Sequence, residues 1–200
     1  GIDRQVFILD ENIKRENILL SIGRIQEQKR QLDVLRFLDS FRKVDTNFLC
    51  YFVGGPSGKS GDDYLIQLKD TVKEFNLEPN VEFLGNMTQL KIKDLMNRSK
   101  LLIHTSHFET FGLVAIEANT MGVPVLTTNQ GSLSELIETN VNGYLAEELL
   151  NSQVNNFVQN LLHDDKQFHQ FQMNCHEKSK KFDWKYTAKE LENLYKSVLT

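Results

Sequence analysis

The sequence predicts an α/β fold: a Rossmann-like three-layer domain of about six parallel strands, with a helical segment at the C-terminal end. Three observations carry this. Short apolar runs of strand length alternate with longer stretches of helical periodicity. Several of these runs end at a glycine, as at Gly23, Gly54 and Gly85. At about Asn151 the alternation stops, and the pattern is helical to the end of the chain.

In order, residues 1–16 show no periodicity and read as a lead-in. Asn17–Ile22 is the first buried strand, ended by Gly23. After the loop Gly23–Arg30 (GRIQEQKR), a helix is expected over Arg30–Val44, with Leu32, Leu35, Phe37, Leu38 and Phe41 turned inward. Phe48–Val53 is the second strand. The loop Gly54–Asp63 then leads to a helix over Tyr64–Asn76. Val81–Leu84 forms the third strand. A short helix over Thr88–Asn97 follows, with Thr88 as its N-cap. Leu101–His104 and Val123–Thr127 are the fourth and fifth strands. Ser132–Glu138 reads as a short helix and Gly143–Leu145 as the sixth strand. From Ser152 onward the helical pattern breaks only near Phe182-Asp183, where Asp183 is placed to cap the last helix.

Two hundred residues fit one domain with a full core, and 40% hydrophobic with 25% charged residues is ordinary for a globular chain. A net charge of −4 makes no electrostatic case for nucleic acid as a partner. Cys50 and Cys175, one in a strand and one in a helix, suggest a reducing compartment and no disulfide framework. No signal peptide and no run of membrane-spanning length is visible. The chain opens with Gly1 rather than Met, as an excised or processed product would.

In a parallel sheet, ligands bind beyond the carboxyl ends of the strands, so the loops there carry the chemistry. The stretch Ser106–Ala118 (SHFETFGLVAIEA) is the most informative. Glu109 and Glu117 lie with seven residues between them, around Phe111-Gly112 and an apolar helix whose only charge is Glu117. A buried carboxylate needs a partner from the protein or from a ligand. In the loop after the first strand, Gly23 removes bulk while Arg24 and Lys29 supply two cations suited to a phosphate or diphosphate. The first amides of the helix beginning near Gly112 are free, and the helix dipole favours an anion there by roughly 0.3–2 kcal/mol. Two carboxylates would repel a diphosphate held between these groups. Glu109 and Glu117 should therefore accept hydrogen bonds from neutral hydroxyls on either side. Hydroxyls flanking a diphosphate describe a nucleotide-diphosphate sugar.

Three other patterns compete for attention. Gly58-Lys59-Ser60 resembles the end of a phosphate-binding P-loop. That motif needs four residues between its glycines, and only three separate Gly54 from Gly58. His104 and His107 bracket two residues, but no Cys or further His stands near, so His104 reads as a structural histidine or as a support for a neighbouring group. His163, His169 and His176 lie on helices without a shared role. No histidine suggests itself as paired with a carboxylate for acid–base catalysis.

The residues now assembled resemble glycosyltransferase family 4. Those that carry the resemblance are Gly23-Arg24…Lys29, Gly54-Gly55, Val81–Gly85, Ser106-x-x-Glu109-x-Phe111-Gly112-Leu113-x-x-x-Glu117-Ala118, Gly122–Val125 and Gly131–Glu135. The match follows the family's order over nearly the whole chain, and the paired-glutamate motif is its most specific part. The resemblance implies a retaining sugar transferase of the two-domain GT-B fold, of which this chain is the C-terminal, donor-binding half. It implies that Arg24 and Lys29 hold the diphosphate, that Glu117 takes the ribose hydroxyls, and that Glu109 contacts the donor sugar. Backbone amides of Phe111, Gly112 and Leu113 would also meet the donor, and the Leu84–Met87 turn would place Met87 near the base. Gly1-Ile2-Asp3 resembles the family's crossover from the first domain, and Phe182-Asp183-Trp184 the start of its last helix. Two departures stand out: Arg30 follows Lys29 where glycine is frequent, and Ser132 follows Gly131 where a second glycine is frequent. Glu135 reads as structural.

The expected organisation is thus an interdomain lead-in over 1–16, a nucleotide-sugar-binding Rossmann-like domain over 17–182, and a helix over 183–200 returning toward the absent N-terminal half. The expected chemistry is transfer of a sugar from a UDP-, GDP- or ADP-sugar to an acceptor hydroxyl, in polysaccharide or glycolipid synthesis. Arg24, Lys29 and Glu109 are the catalytic candidates. Gly23, Met87, Phe111, Gly112, Leu113 and Glu117 join them in donor binding. No cofactor or bound metal is expected, since the two cations neutralise the leaving diphosphate. The expected location is cytoplasmic, with peripheral association at the inner membrane face through the absent half. The alternatives are a nucleotide-sugar-binding module without catalysis and a sugar-nucleotide epimerase of the same fold.

Overall fold

The computed structural model describes residues 1–129 and 131–199. Six parallel strands form one sheet: β1 (Ile18–Ile22), β2 (Leu49–Val53), β3 (Val81–Gly85), β4 (Leu101–His104), β5 (Val125–Thr128) and β6 (Gly143–Ala146). Their order across the sheet is β3-β2-β1-β4-β5-β6. The chain first winds outward from β1 through β2 to β3, then returns to place β4 on the other side of β1. The crevice between the β1 and β4 loops is therefore the topological switch point, where open α/β sheets bind ligands.

The continuous apolar character of the strands follows from burial on both faces. In β1, Leu19 joins the core on one side while Ile18, Leu20 and Ile22 join the core on the other. β4 repeats the alternation: Leu101 and Ile103 face one way and Leu102 the other. The first core packs against α1 (Gln31–Phe41), α2 (Gly58–Glu74), α6 (Ser152–His163) and α7 (Asp165–Ser179) through Phe37, Leu68, Phe157 and Phe171. The second core packs against α3 (Gln89–Arg98), α4 (Leu113–Thr120) and α5 (Leu133–Leu136) through Met96, Ala118 and Leu133.

Elements fall where the pattern places them, with two differences. Helix α2 starts at Gly58, so Gly58-Lys59-Ser60 is its exposed first turn rather than part of a loop. The polar residues 58–63 carry no apolar periodicity. Tertiary contact holds them: the Tyr64 hydroxyl accepts from the Leu32 amide at 3.0 Å, and a Cβ on Gly61 would stand 2.8 Å from the Ile25 carbonyl oxygen. The C-terminal helical stretch also breaks at Asp164, whose side chain caps α7 by accepting from the Gln167 amide at 2.9 Å. At Asp183 the expected break is present, and its carboxylate accepts from the Lys185 amide at 2.8 Å to start α8 (Trp184–Leu199). Thr200, the last residue of the expected helix over 183–200, lies outside the described residues.

Residues 1–16 form no regular element beyond a bridge at Ile2, yet they are packed against the domain. Phe7 is buried in the second core. Arg15 donates to the carbonyls of Met96, Ser99 and Met121, the last at 2.7 Å. Cys50 and Cys175 are buried free thiols. Among the described residues, no helix is long and apolar enough to cross a membrane.

Candidate functional site

The loops after β1 and β4 are stitched to each other at the switch point. The Thr105 hydroxyl donates to the carbonyls of Lys29 and Arg30 at 2.9 and 3.1 Å, and the His107 amide donates to the Gln28 carbonyl at 2.8 Å. Beneath them Gly54 allows β2 to pass close to β1. Its φ is +134°, and a Cβ there would stand 2.0 Å from the Gly23 carbonyl oxygen.

This stitching brings Lys29 and Glu109 together. Lys29 Nζ donates to Glu109 Oε2 at 2.8 Å, and His104 Nε2 lies 3.0 Å from the same oxygen. Glu109 Oε1 accepts from the Gly112 amide at 3.3 Å. The backbone is held as well, since the Ser132 amide and hydroxyl both donate to the Glu109 carbonyl at 3.2 Å. The serine that departs from the frequent glycine therefore fastens the loop. Its neighbour Gly131 must remain glycine, because a Cβ would stand 2.7 Å from that carbonyl at φ +60°. The His104 hydrogen bond, then the ammonium of Lys29, hold the Glu109 carboxyl far below the usual carboxylate range, against the opposing effect of burial.

Glu117 is the opposite case. It sits half-buried on α4, and its carboxylate makes no hydrogen bond or ion pair among the described residues. Burial alone pushes its carboxyl up to about 7. The helix begins at Gly112, whose φ of +74° favours glycine; a Cβ there would stand 2.8 Å from Leu136 Cδ1 and 3.0 Å from Leu133 Cδ2. Leu113 is exposed. Phe111 is 44% exposed, and its ring stands against Phe182.

The remaining predicted residues are less closely joined. Gly23 lies beside the methylene stem of Lys29, the nearest carbon 3.8 Å from where a Cβ would be. The Arg24 side chain is exposed and unpaired among the described residues; only its carbonyl is tied down, accepting from Gln31 Nε2 at 2.9 Å. Met87 packs half-buried against the second core with Leu84. Arg30 donates to Asp33 at 2.6 Å, so its guanidinium is taken up by its own helix. A cavity of about 250 Å³ lies beside α4, lined by Ile116, Asn119, Glu138, Asn142 and Phe182, and includes neither Lys29 nor Glu109.

One expectation is corrected here. The sequence offers no evident histidine partner for a carboxylate, yet His104 is that partner for Glu109. It is the last residue of β4, and the loop turns back on it within five residues. The recognisable signal is a polar residue ending an otherwise apolar strand, just before the glutamate.

The arrangement is a cation, a histidine and a fixed carboxylate at a helix start, with a second carboxylate left without a partner among the described residues. Comparison with known proteins identifies the family of the chain. The chain is 25% identical over 184 residues to a D-inositol 3-phosphate glycosyltransferase of Corynebacterium kroppenstedtii, covering 91% of this chain and 41% of that protein. It is 35% identical over 133 residues to an N-acetyl-alpha-D-glucosaminyl L-malate synthase of Bacillus anthracis, covering 66% of this chain and 32% of that protein. The chain thus spans less than half the length of these relatives. In fold it is similar to Anabaena Alr3699/HepE, whose crystal structure contains UDP and glucose; the TM-score is 0.83 at 24% identity, over 98% of this chain and 55% of that one. It is also similar to the C-terminal domain of a group 1 glycosyl transferase family protein (LpcC) from Francisella tularensis, with a TM-score of 0.79 at 24% identity, over 92% of this chain and 100% of that one. The model of the family described as glycosyl transferases group 1 matches residues 3–182, and the chain belongs to that family.

Proposed function

We propose that this chain is the donor-binding half of a retaining glycosyltransferase, which moves a sugar from a nucleotide-diphosphate sugar to an acceptor hydroxyl in polysaccharide or glycolipid synthesis. The observation that carries the reading is the convergence of Lys29, Glu109 and the Gly112 helix start at the switch point, with the Glu117 carboxylate on the same helix left without a partner among the described residues. Lys29 and Arg24 hold the diphosphate together with the first amides of α4. Glu117 accepts from ribose, and Glu109 accepts from the sugar. The UDP and glucose in the crystal structure of Alr3699/HepE support a nucleotide sugar as the ligand class. The length of the relatives supports a further half that binds the acceptor, and the LpcC C-terminal domain gives a parallel for a half of this kind.

In this reading catalysis rests on charge. As the bond to the anomeric carbon breaks, negative charge grows on the diphosphate, and Arg24, Lys29 and the helix amides stabilise it. No bound metal is required, because these cations do the neutralising. The protein works in the cytoplasm, at the inner membrane face through the absent half.

Calorimetric titration of the chain with UDP, GDP and ADP tests the proposal, followed by the Arg24→Ala and Lys29→Ala variants. One diphosphate should bind. Each variant should weaken it by roughly 10- to 100-fold, the loss of about 1.5–3 kcal/mol from one charge-assisted hydrogen bond. The bare nucleoside should be nearly unaffected. Absence of binding to all three, or equal losses for diphosphate and nucleoside, refutes it.

A further inference from the structure

Glu109 Oε2 is held from two sides by groups of very different mobility. Lys29 reaches it on a flexible four-carbon stem, with the Lys29 side chain 21% exposed. His104 reaches it from the end of β4, with a side chain only 5% exposed and a short, stiff linkage to the sheet. A diphosphate in the crevice carries more negative charge than one carboxylate and competes for the ammonium. Lys29 can turn to it; His104 cannot follow. We propose that His104 is a positioning residue that keeps the Glu109 carboxylate in place and directed at the donor sugar when the donor's diphosphate draws Lys29 away from it. The proposal rests on the donor-site reading above.

The chemistry of the pair suits this task. The carboxylate can only accept, so the shared proton sits on His104 Nε2. A carboxylate left with the 3.3 Å contact to the Gly112 amide alone would be poorly fixed at a site only 15% exposed. A second ammonium in place of the imidazole would supply another mobile charge and compete for the same diphosphate. An imidazole N–H fixes one oxygen and leaves the other lone pairs for sugar hydroxyls. The groups that face Glu109 come from three elements: Lys29 from the β1 loop, His104 from β4, and the Gly112 amide from the start of α4. His104 Nδ1 makes no hydrogen bond among the described residues, so the ring is oriented by Glu109 and by its packing.

The test compares UDP with UDP-glucose, GDP with GDP-mannose and ADP with ADP-glucose by calorimetry on the chain, in wild type, His104→Leu and His104→Gln. If wild type binds none of the three diphosphates, the donor-site reading itself fails. If wild type binds a diphosphate but its sugar form no more tightly, the diphosphate reading stands and the His104 proposal alone is overturned. The expected result is that His104→Leu binds the diphosphate within twofold of wild type, while the added affinity for the sugar form falls about tenfold. His104→Gln, which keeps an N–H donor, should recover most of it. Equal losses for diphosphate and sugar form, or no loss in either, overturn the proposal. A second measurement avoids reliance on the folding of the leucine variant. In ¹⁵N-resolved spectra of the wild-type histidines, with His104 assigned by its absence in His104→Gln, Nε2 should remain protonated on saturation with UDP. Loss of the Nε2 proton on UDP binding overturns it.

Discussion

The ring of Phe111 meets the ring of Phe182 edge to face, with 6.4 Å between centroids and 85° between planes. Phe111 directly precedes the helix-capping Gly112, and Phe182 directly precedes Asp183, which caps α8. The Ile2 amide donates to the Phe182 carbonyl at 2.8 Å, and the Trp184 amide donates to the Ile2 carbonyl at 3.1 Å. The loop that carries Glu109 is thus joined, through one aromatic pair, to the point where residues 1–3 and the last helix come together. An aromatic pair of this geometry contributes about 0.5–1.5 kcal/mol beyond its buried area. Phe182→Ala should lower the unfolding free energy by about 1 kcal/mol or more, and weaken diphosphate binding about threefold to tenfold because the loop is less fixed. Phe182→Tyr should preserve both. A lowered melting temperature with unchanged nucleotide affinity would restrict the pair to anchoring the helix.

Glu117 gives a prediction in pH. Its folded pKa, about 7, lies above the ordinary carboxyl value because burial disfavours the charge. A raised pKa means that the folded chain holds the proton more tightly than the unfolded chain. The associated stability is fully present below the ordinary carboxyl range and is lost as pH rises through about 7. Glu117→Gln removes the ionisation. In the ligand-free chain it should leave the melting temperature at pH 5 nearly unchanged and raise it at pH 8, by roughly 2–4 °C, the shift that about 1 kcal/mol produces in a domain of this size. The same variant should lose discrimination between ribose and 2′-deoxyribose nucleotides. Thermal melts at the two pH values and paired titrations check the two halves; a melting shift of equal size at both pH values would refute the burial argument.

Gly54 is the position where the backbone tolerates least. A Cβ would overlap the Gly23 carbonyl oxygen at 2.0 Å, at a φ of +134° that L side chains rarely adopt. Since that contact is with backbone, relief requires the β1 loop to move. Gly54→Ala should cost at least about 2 kcal/mol of stability. It should also displace Arg24 and Lys29 enough to weaken diphosphate binding, though it touches no ligand. Denaturant unfolding and titration measure both; a gain or no change in stability would show that β1 and β2 can separate without cost.

Much of this molecule was legible in its residues. All six strands fall within two residues of where the apolar runs place them, because strands buried on both faces must be apolar throughout and short. Lys29 and Glu109, which the structure brings together, lie in the loops that the alternation pointed to, and the pair Glu109 and Glu117 stood out as charges beside an apolar helix. Less legible were the elements without periodicity. The first turn of α2, the break at Asp164 and the packing of residues 1–16 depend on single capping or backbone contacts, which leave little trace in a hydrophobic pattern.

The sequence by itself determined the α/β alternation, the paired glutamates around Phe111-Gly112 and the residue types able to hold a diphosphate. Only the tertiary structure decided who partners whom. Lys29 and Glu109 are 80 positions apart, and they meet because β1 and β4 are neighbours at the switch point of the sheet. The same fold gives Glu109 a histidine, turns Arg30 onto Asp33 and leaves the Glu117 carboxylate without a partner among the described residues. Hydrophobic periodicity is a local property of the chain, whereas the partner of a charge is set by strand order, loop register and burial, which exist only once the sheet has formed.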